Sequence, residues 1–270
     1  MKESQVLGTI IAARRRRIEE ARAEVPLGEL RKLAEARSDF RDFSSALSGE
    51  TLSVIAELKK ASPSRGLLRP DFRPVDIARS YQQAGASALS VLTEEEFFQG
   101  SLGDLKAARE AVHIPVLRKD FVVDEYQIYE SVAAGADAFL LIVAALDDRD
   151  LRHFIRLSDS LHVATLVEVH TEEDLARAID AGAKIIGINN RNLNTLEVSL
   201  ETSFRLREKI PPSCLAVSES GIKSGGDMEK LAKAGFSAVL IGEHLMLAGE
   251  PGEELSRLLK SAPTLKMAGA

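Results

Sequence analysis

A single (β/α)8 barrel with an N-terminal helical extension is the fold class that three observations predict for this 270-residue chain. First, one phrase recurs four times: AGASALSVL from Ala84, AGADAFLLI from Ala134, AGAKIIGIN from Ala181 and AGFSAVLIG from Ala234. Second, its glycines, Gly85, Gly135, Gly182 and Gly235, stand 50, 47 and 53 residues apart. Each phrase reads as a helix end, a small-residue turn and a buried parallel strand. A βα unit takes about 25 residues, so every period has room for a second unit, and four periods make eight. Third, the chain is 45% hydrophobic without a low-complexity linker, which suits one large core. A TIM barrel of about 250 residues accounts for nearly all of it.

Taken in order, residues 3–24 and 28–36 read as helices, interrupted at Pro26 and Gly28. With the segment up to residue 48 they form an extension outside the eight units. Its place, under the barrel or beside its mouth, is not decided by the sequence. Strands are predicted at 52–57, 87–92, 115–118, 137–143, 163–168, 184–188, 214–218 and 237–241. Between them the clearest helices are VDIARSYQQAG, GDLKAAREA, DEYQIYESVAAG, LDDRDLRHFIRLSDS, TEEDLARAIDAG and GDMEKLAKAG, several opening on Asp, Thr or Gly in capping positions. The expected organisation is one domain over 1–270, with the extension at 1–48, the barrel at 49–262 and a short tail at 263–270. Two loops exceed what a barrel needs, ASPSRGLLRPDFRP and TEEEFFQGS, and both read as lids over a mouth.

Composition narrows the function. A net charge of -6, from 35 basic and 41 acidic residues, provides no basic field for nucleic acid, and no polyanion or membrane partner is implied. The run Arg14–Arg17 lies among acids at helical spacing and reads as a solvated helix face. The single cysteine, Cys214, excludes an intramolecular disulfide and a thiolate metal cluster, and reads as a buried strand residue. No signal-peptide core and no apolar run near the ~20 residues of a membrane span are present, so a cytoplasmic protein is expected. The histidines His113, His153, His162, His170 and His244 lack the spacing of metal ligands, His170 reading as a cap of the next helix, and no metal site is expected. No dinucleotide fingerprint occurs.

In a barrel of this class the chemistry sits at the C-terminal strand ends, and here almost every such end is polar. IAELKKASPS brings Glu57, Lys59 and Ser62 to the rim, and PVLRKDF brings Lys119, with Asp120 and Phe121 beside it. HVATLVEVH ends on Glu168, KIIGINNRNL delivers Asn189, Asn190 and Arg191, and LAVSESGI delivers Glu219, Ser220 and Gly221. Two ammonium groups, three carboxylates and a guanidinium in one mouth create the opposing environments that separate acid from base. SESGIKSGGD and IGEHLM add glycines, Gly221 and Gly242, and backbone N–H groups where such barrels commonly bind phosphate. Tight turns alone would explain either glycine singly.

Seven segments, IAELKKASPSRG, SVLTEEEFFQGS, VLRKDFVVDEYQIYE, LVEVH, GINNRNLNTLEV, SESGI and VLIGEHLM, in this order and spacing, resemble the indole-3-glycerol phosphate synthases of tryptophan biosynthesis. The resemblance spans the chain, extension included. It implies a phosphorylated small-molecule substrate, 1-(2-carboxyphenylamino)-1-deoxyribulose 5-phosphate, closed to an indole with loss of carbon dioxide and water and without a cofactor. By resemblance, Lys119 is the general acid at the carbonyl, and Glu168 moves protons at the anilino nitrogen and in dehydration. Lys59 binds phosphate or carboxylate or expels hydroxide, three roles the sequence does not divide. Glu57, Asn189, Glu219 and Ser220 orient the lysines and substrate hydroxyls. The departing carboxylate meets Ser62, Asn189 and Arg191, and the aromatic ring an apolar wall including Phe98 and Phe121. The phosphate takes backbone N–H groups around Gly221, Gly242 and Glu243. Some family members carry serine where this chain has Glu243: contact through the backbone N–H alone lets that side chain turn to solvent, and otherwise the phosphate assignment at that position is wrong. Other phosphate-binding barrels of the same pathway, phosphoribosylanthranilate isomerase and the tryptophan synthase alpha subunit, do not explain Lys119 and GINNRNL together. A silent, partner-binding barrel has no use for Lys59, Lys119 and Glu168 at its mouth. Association with other enzymes of the pathway is compatible with this reading and has no motif of its own.

Overall fold

A computed structural model of the chain describes residues 3–192, 195 and 197–261; the expected tail at 263–270 lies outside the described residues. The strands are β1 (Ser53–Leu58), β2 (Ala61–Ser62), β3 (Gly66–Leu67), β4 (Ala88–Leu92), β5 (Val116–Lys119), β6 (Ala138–Ile142), β7 (Ala164–Val169), β8 (Ile185–Asn189), β9 (Leu215–Glu219) and β10 (Ala238–Ile241). Apart from the small antiparallel pair β2–β3, they close into a ring in the order β1-β10-β9-β8-β7-β6-β5-β4. All pairs around it are parallel, β1 closing it through Ile55 opposite Leu240 on one side and Ala88 on the other. The eight ring strands are the eight predicted ones, with every end within one residue. Only the β2–β3 hairpin was not foreseen, because its two-residue strands are too short to show alternation.

The helices are α1 (Glu3–Glu24), α2 (Leu27–Glu35), α3 (Phe43–Ala46), α4 (Pro74–Ala84), α5 (Leu102–Ala111), α6 (Glu125–Ala133), α7 (Asp148–Ser160), α8 (Glu172–Asp180), α9 (Glu201–Arg207), α10 (Gly225–Lys233), α11 (Glu243–Met246) and α12 (Pro251–Ser261). The fourfold phrase has one physical meaning. Gly85, Gly135, Gly182 and Gly235 all have φ between 83° and 102°, a left-handed conformation that a Cβ disfavours. In each case the next residue donates its N–H five residues back, Ala86 to Tyr81, Ala136 to Ser131, Ala183 to Ala178 and Phe236 to Leu231. This is the bond that ends a helix in a Schellman turn, and it aims the chain into the following strand. Helix starts depart from expectation in one respect. The caps of α5 and α10 are Ser101 and Ser224, while the glycines of GDLKAAREA and GDMEKLAKAG lie inside the helices. A hydroxyl accepts the free N–H of the first turn and glycine has nothing to accept with.

Inside the ring, Ile55, Ala88, Leu117, Ala138, Leu166, Ile185, Val217 and Ala238 fill the barrel, Leu140 and Leu240 reach the floor of the mouth cavity, and Phe43 and Leu47 close the ring from below. The extension thus caps the bottom. It also edges the mouth, since Leu7 of α1 lines the cavity there. Val25 and Pro26 separate α1 from α2; Gly28 sits in the first turn of α2 without breaking it. Two buried carboxylates fasten the extension. At the bottom, Asp137 accepts from Arg37 at 2.7 Å, from Arg109 at 3.0 Å, and from the backbone N–H groups of Arg41 and Val116. Near the mouth, Asp120 accepts from Arg14 at 2.9 Å and from Arg118 at 3.0 Å.

Arg14 therefore does not belong to a solvated face. It is 3% exposed and also reaches Glu95 at 2.5 Å, whereas Arg15, Arg16 and Arg17 are exposed. Helical periodicity turns one of four consecutive arginines inward, and that one meets a carboxylate. Cys214 also differs from expectation. It stands just before β9, half-buried, with its thiol 3.3 Å from the Ala183 carbonyl. Among the described residues no helix is long and apolar enough to cross a membrane.

The Arg14 bridge makes a prediction. Arg14→Ala removes one of two cations from a fully buried carboxylate and should cost about 2–4 kcal/mol, lowering the unfolding midpoint by roughly 5–10 °C. Arg15→Ala should change stability by about 0.5 kcal/mol or less. Thermal denaturation followed by circular dichroism checks both, and equal midpoints would return Arg14 to the solvated class.

Candidate active site

At the C-terminal end of the ring lies a cavity of about 580 Å³. Lys119, the last residue of β5, projects into it and donates to Glu168 of β7 at 2.8 Å; Glu219 of β9 lies 3.4 Å from the same ammonium. Both carboxylates are almost wholly buried. Burial pulls the Lys119 ammonium down, but Glu168, Glu219 and Glu57 outweigh it and hold the lysine above its ordinary range. For Glu168, burial favours the neutral acid, yet Lys119 and then His170 prevail, and the carboxyl is held below its ordinary value. Glu219 goes the other way. Burial, reinforced by repulsion from Glu168 and Glu57, outweighs the more distant Lys119 and pushes it up to about 8. One carboxylate thus forms the ion pair and its neighbour keeps a proton, the separation that acid and base roles require.

Glycines make room for this charge. A Cβ on Gly187, inside β8, would lie 2.1 Å from Glu219 Oε1, so the strand must be bare where the carboxyl stands. Gly242 serves Glu57 in the same way, a Cβ there falling 2.1 Å from Glu57 Oε1. Its φ of -125° needs no glycine, so sterics and not a tight turn explain it. Gly221, with φ of 85°, is a true turn glycine. Glu57 in turn holds Lys59, at 2.6 Å.

Around the rim, Asn189 Oδ1 accepts from the Ser220 hydroxyl at 2.9 Å and the Arg191 N–H at 3.0 Å. Asn190 is structural, donating to Ser218, to the Glu219 carbonyl and to the Ser220 carbonyl and so tying β8 to β9. Phe98 and Phe121 form an apolar wall with ring centroids 6.0 Å apart. Asp120 also positions Phe121, whose N–H it accepts at 2.8 Å. The loop bearing Phe98 folds around the buried Glu94 carboxylate, which accepts the N–H groups of Glu96, Phe97 and Phe98. It is joined to the other long loop where Ala61 donates to the Phe98 carbonyl.

All the residues to which the resemblance gives a role line this cavity except Ser62. Ser62 is buried in the β2–β3 hairpin with its hydroxyl 3.4 Å from that of Ser64, and Ser64 faces the cavity instead. Glu243 does not turn to solvent. Its carboxylate lies 3.2 Å from Arg65 and 3.2 Å from Arg191. Sequence reasoning passed over Arg65, although its Ser-, Pro- and Arg-rich loop was a signal. It also passed over the contact of His170 with Glu168, at 3.4 Å. His170 follows Glu168 by two in a strand-like run, which places both on one face, and that spacing was a usable sign. The cap of α8 is Thr171, not His170. Among the described residues no group of three or more His, Cys, Asp or Glu is disposed to hold a metal.

With this geometry in view, the chain's relatives are informative. Residues 7–258 match the family model described as "Indole-3-glycerol phosphate synthase". The indole-3-glycerol phosphate synthase of Polaromonas naphthalenivorans is 51% identical over 94% of this chain and 98% of its own length; that of Chromobacterium violaceum is 48% identical over 94% and 98%. Solved structures share the fold alone. A mandelate oxidase mutant aligns with a TM-score of 0.62 at 19% identity, covering 92% of this chain and 94% of its own. The 3-hexulose-6-phosphate synthase of Salmonella typhimurium aligns with a TM-score of 0.61 at 16% identity, covering 78% and 98%. The distant barrels lend only architecture, whereas a family match over residues 7–258 and identity near one half over 94% of the chain decide the family. This chain belongs to the indole-3-glycerol phosphate synthase family.

Proposed function

We propose that this mouth carries out the decarboxylating ring closure of 1-(2-carboxyphenylamino)-1-deoxyribulose 5-phosphate to indole-3-glycerol phosphate, with release of carbon dioxide and water. The observation that carries the proposal is the buried Lys119–Glu168 pair beside the Phe98–Phe121 wall. Ring closure builds negative charge on the substrate carbonyl oxygen as the aromatic carbon attacks. An ammonium kept charged by its neighbours is on hand to stabilise that oxygen and pass it a proton. Lys119 takes this role, and Glu168, held anionic, relays the proton at the anilino nitrogen, which the indole product retains, and accepts the proton lost in dehydration.

The wall receives the anthranilate ring, while Asn189 and Arg191 meet the carboxylate that leaves, with Ser62 supporting the loop from within the hairpin. Lys59, oriented by Glu57, faces the Gly242 side of the cavity, which favours its role at the phosphate. There the backbone N–H groups of Gly221, Gly242 and Glu243 are the proposed donors. Ser220 and the protonated Glu219 orient hydroxyls and Lys119. The reading requires no nucleic acid, membrane or cofactor, and a cytoplasmic location suits it.

Two outcomes follow. Lys119→Ala should lower the rate of indole formation by roughly 10²- to 10⁴-fold while substrate still binds. The chain has no tryptophan, so product fluorescence is read without intrinsic indole emission; an undiminished rate would remove Lys119 from the chemistry. The second concerns pH. Because the Glu219 pKa is raised on folding, its proton stabilises the fold most fully below the unfolded value, and that contribution is lost as pH rises through about 8. Glu219→Gln cannot lose such a proton. Its unfolding midpoint relative to the parent should therefore rise between pH 6 and pH 9, by an amount equivalent to about 2–3 kcal/mol. A pH-independent difference between the two proteins would show that Glu219 titrates normally.

A further inference from the structure

The side chain of Glu243 is the feature of the mouth that the reaction leaves unexplained. It stands beside the donors assigned to phosphate, yet it is an anion. Its two oxygens are divided between two cations from different loops, Arg65 Nε at 3.2 Å and Arg191 at 3.2 Å. Glu243 is 23% exposed and Arg191 25%, so this pair is shielded, while Arg65 at 58% is half in solvent. All three line the cavity. A substrate with a carboxylate and a phosphate brings its own anions to the same guanidinium groups. Either group, on reaching these arginines, meets N–H donors that the Glu243 carboxylate already engages.

We propose that Glu243 is an affinity-setting residue that competes with the ligand's anionic group for Arg65 and Arg191. The inference rests on the reading of the mouth given above, and it deepens it. Cations that grip a feature common to substrate and transition state strengthen both equally, which lowers KM without raising kcat. An internal competitor offsets such uniform binding. It reduces the net charge that the arginine pair presents from two to one, and it is ready to take the arginines back when the ligand leaves. Because the competitor is covalently part of α11, its local concentration never falls, and only an anion reaching both arginines displaces it efficiently.

The test uses the full chain and its Glu243→Gln variant, which keeps size and removes charge, with two probes measured separately by calorimetry: inorganic phosphate and anthranilate. Removing one like charge at contact distance in a partly shielded site should tighten one probe by about tenfold at low salt, with the gain shrinking as salt rises. Tightening of phosphate identifies that group as the competitor's rival, and tightening of anthranilate identifies the carboxylate. Unchanged or weaker binding of both overturns the proposal. Glu243→Ser serves as the second variant should the glutamine perturb folding, as read from the unfolding midpoint. In an Arg65→Gln background the gain from Glu243→Gln should fall to less than half; an undiminished gain would overturn competition for that arginine. The heat of probe binding is independent of turnover. Tightening without indole formation in either protein would therefore support Glu243 as competitor while removing the proposed reaction. Indole formation with unaltered probe binding would do the reverse.

Discussion

The structure of the mouth depends on a charge imbalance. Two lysines, Lys59 and Lys119, face three buried carboxylates, Glu57, Glu168 and Glu219. Burial, with repulsion from Glu168 and Glu57, outweighs Lys119 at Glu219, so that carboxyl keeps its proton. Position singles it out. Glu57 and Glu168 each have an ammonium within 2.8 Å, while Glu219 shares Lys119 at the longer distance of 3.4 Å and leaves Oε1 buried without a hydrogen-bond partner among the described residues. The neutral acid, the anion and the ammonium are therefore consequences of one arrangement. Strand spacing in the ring sets it, and the bare backbone at Gly187 and Gly242 permits it.

Around that centre, the parts that touch substrate rest on parts that never do. Asp120 is the main link. One oxygen orders Phe121, and the other gathers Thr93, Arg118 and, from the extension, Arg14. Arg118 is wholly buried and is further held by Glu130 and Ser131. Thus Arg118, the residue before the proposed acid, is fixed on the outer side of the ring, and Asp120, the residue after it, is tied to Arg118 and Arg14 at the edge of the cavity. Lys119, between them, is free to point inward, as alternation along a strand requires.

Much of the fold could be read in advance because it is written in local chemistry. The four glycine turns announce themselves through a conformation that few other residues adopt, and they mark the short apolar runs beyond them as strands. Strand ends were readable because the barrel assigns them a place. What escaped was tertiary. Whether Arg14 faces water depends on the presence of Asp120 over a hundred residues away, and nothing in RRRR tells the four apart. Ser62 and Ser64 are equally rim-like in sequence, and the unforeseen hairpin turns one in and the other out. Glu243 looked like a side chain without a partner because Arg65 belongs to a loop with no periodicity to place it.

The way the extension is fastened bears on how the molecule is made. Its anchors, Glu95, Arg109, Asp120, Asp124 and Asp137, all belong to the first half of the chain or its border. The strand that closes the ring, by contrast, pairs Ala238 with Ser53. On a ribosome, which delivers the N-terminus first, the helices meet their partners long before the ring can close. They would cover the open lower edge of β5 and β6 and neutralise Asp137 while the remaining strands are still being synthesised. The extension can thus act as a built-in template during assembly, holding half a barrel in a shape that the other half completes.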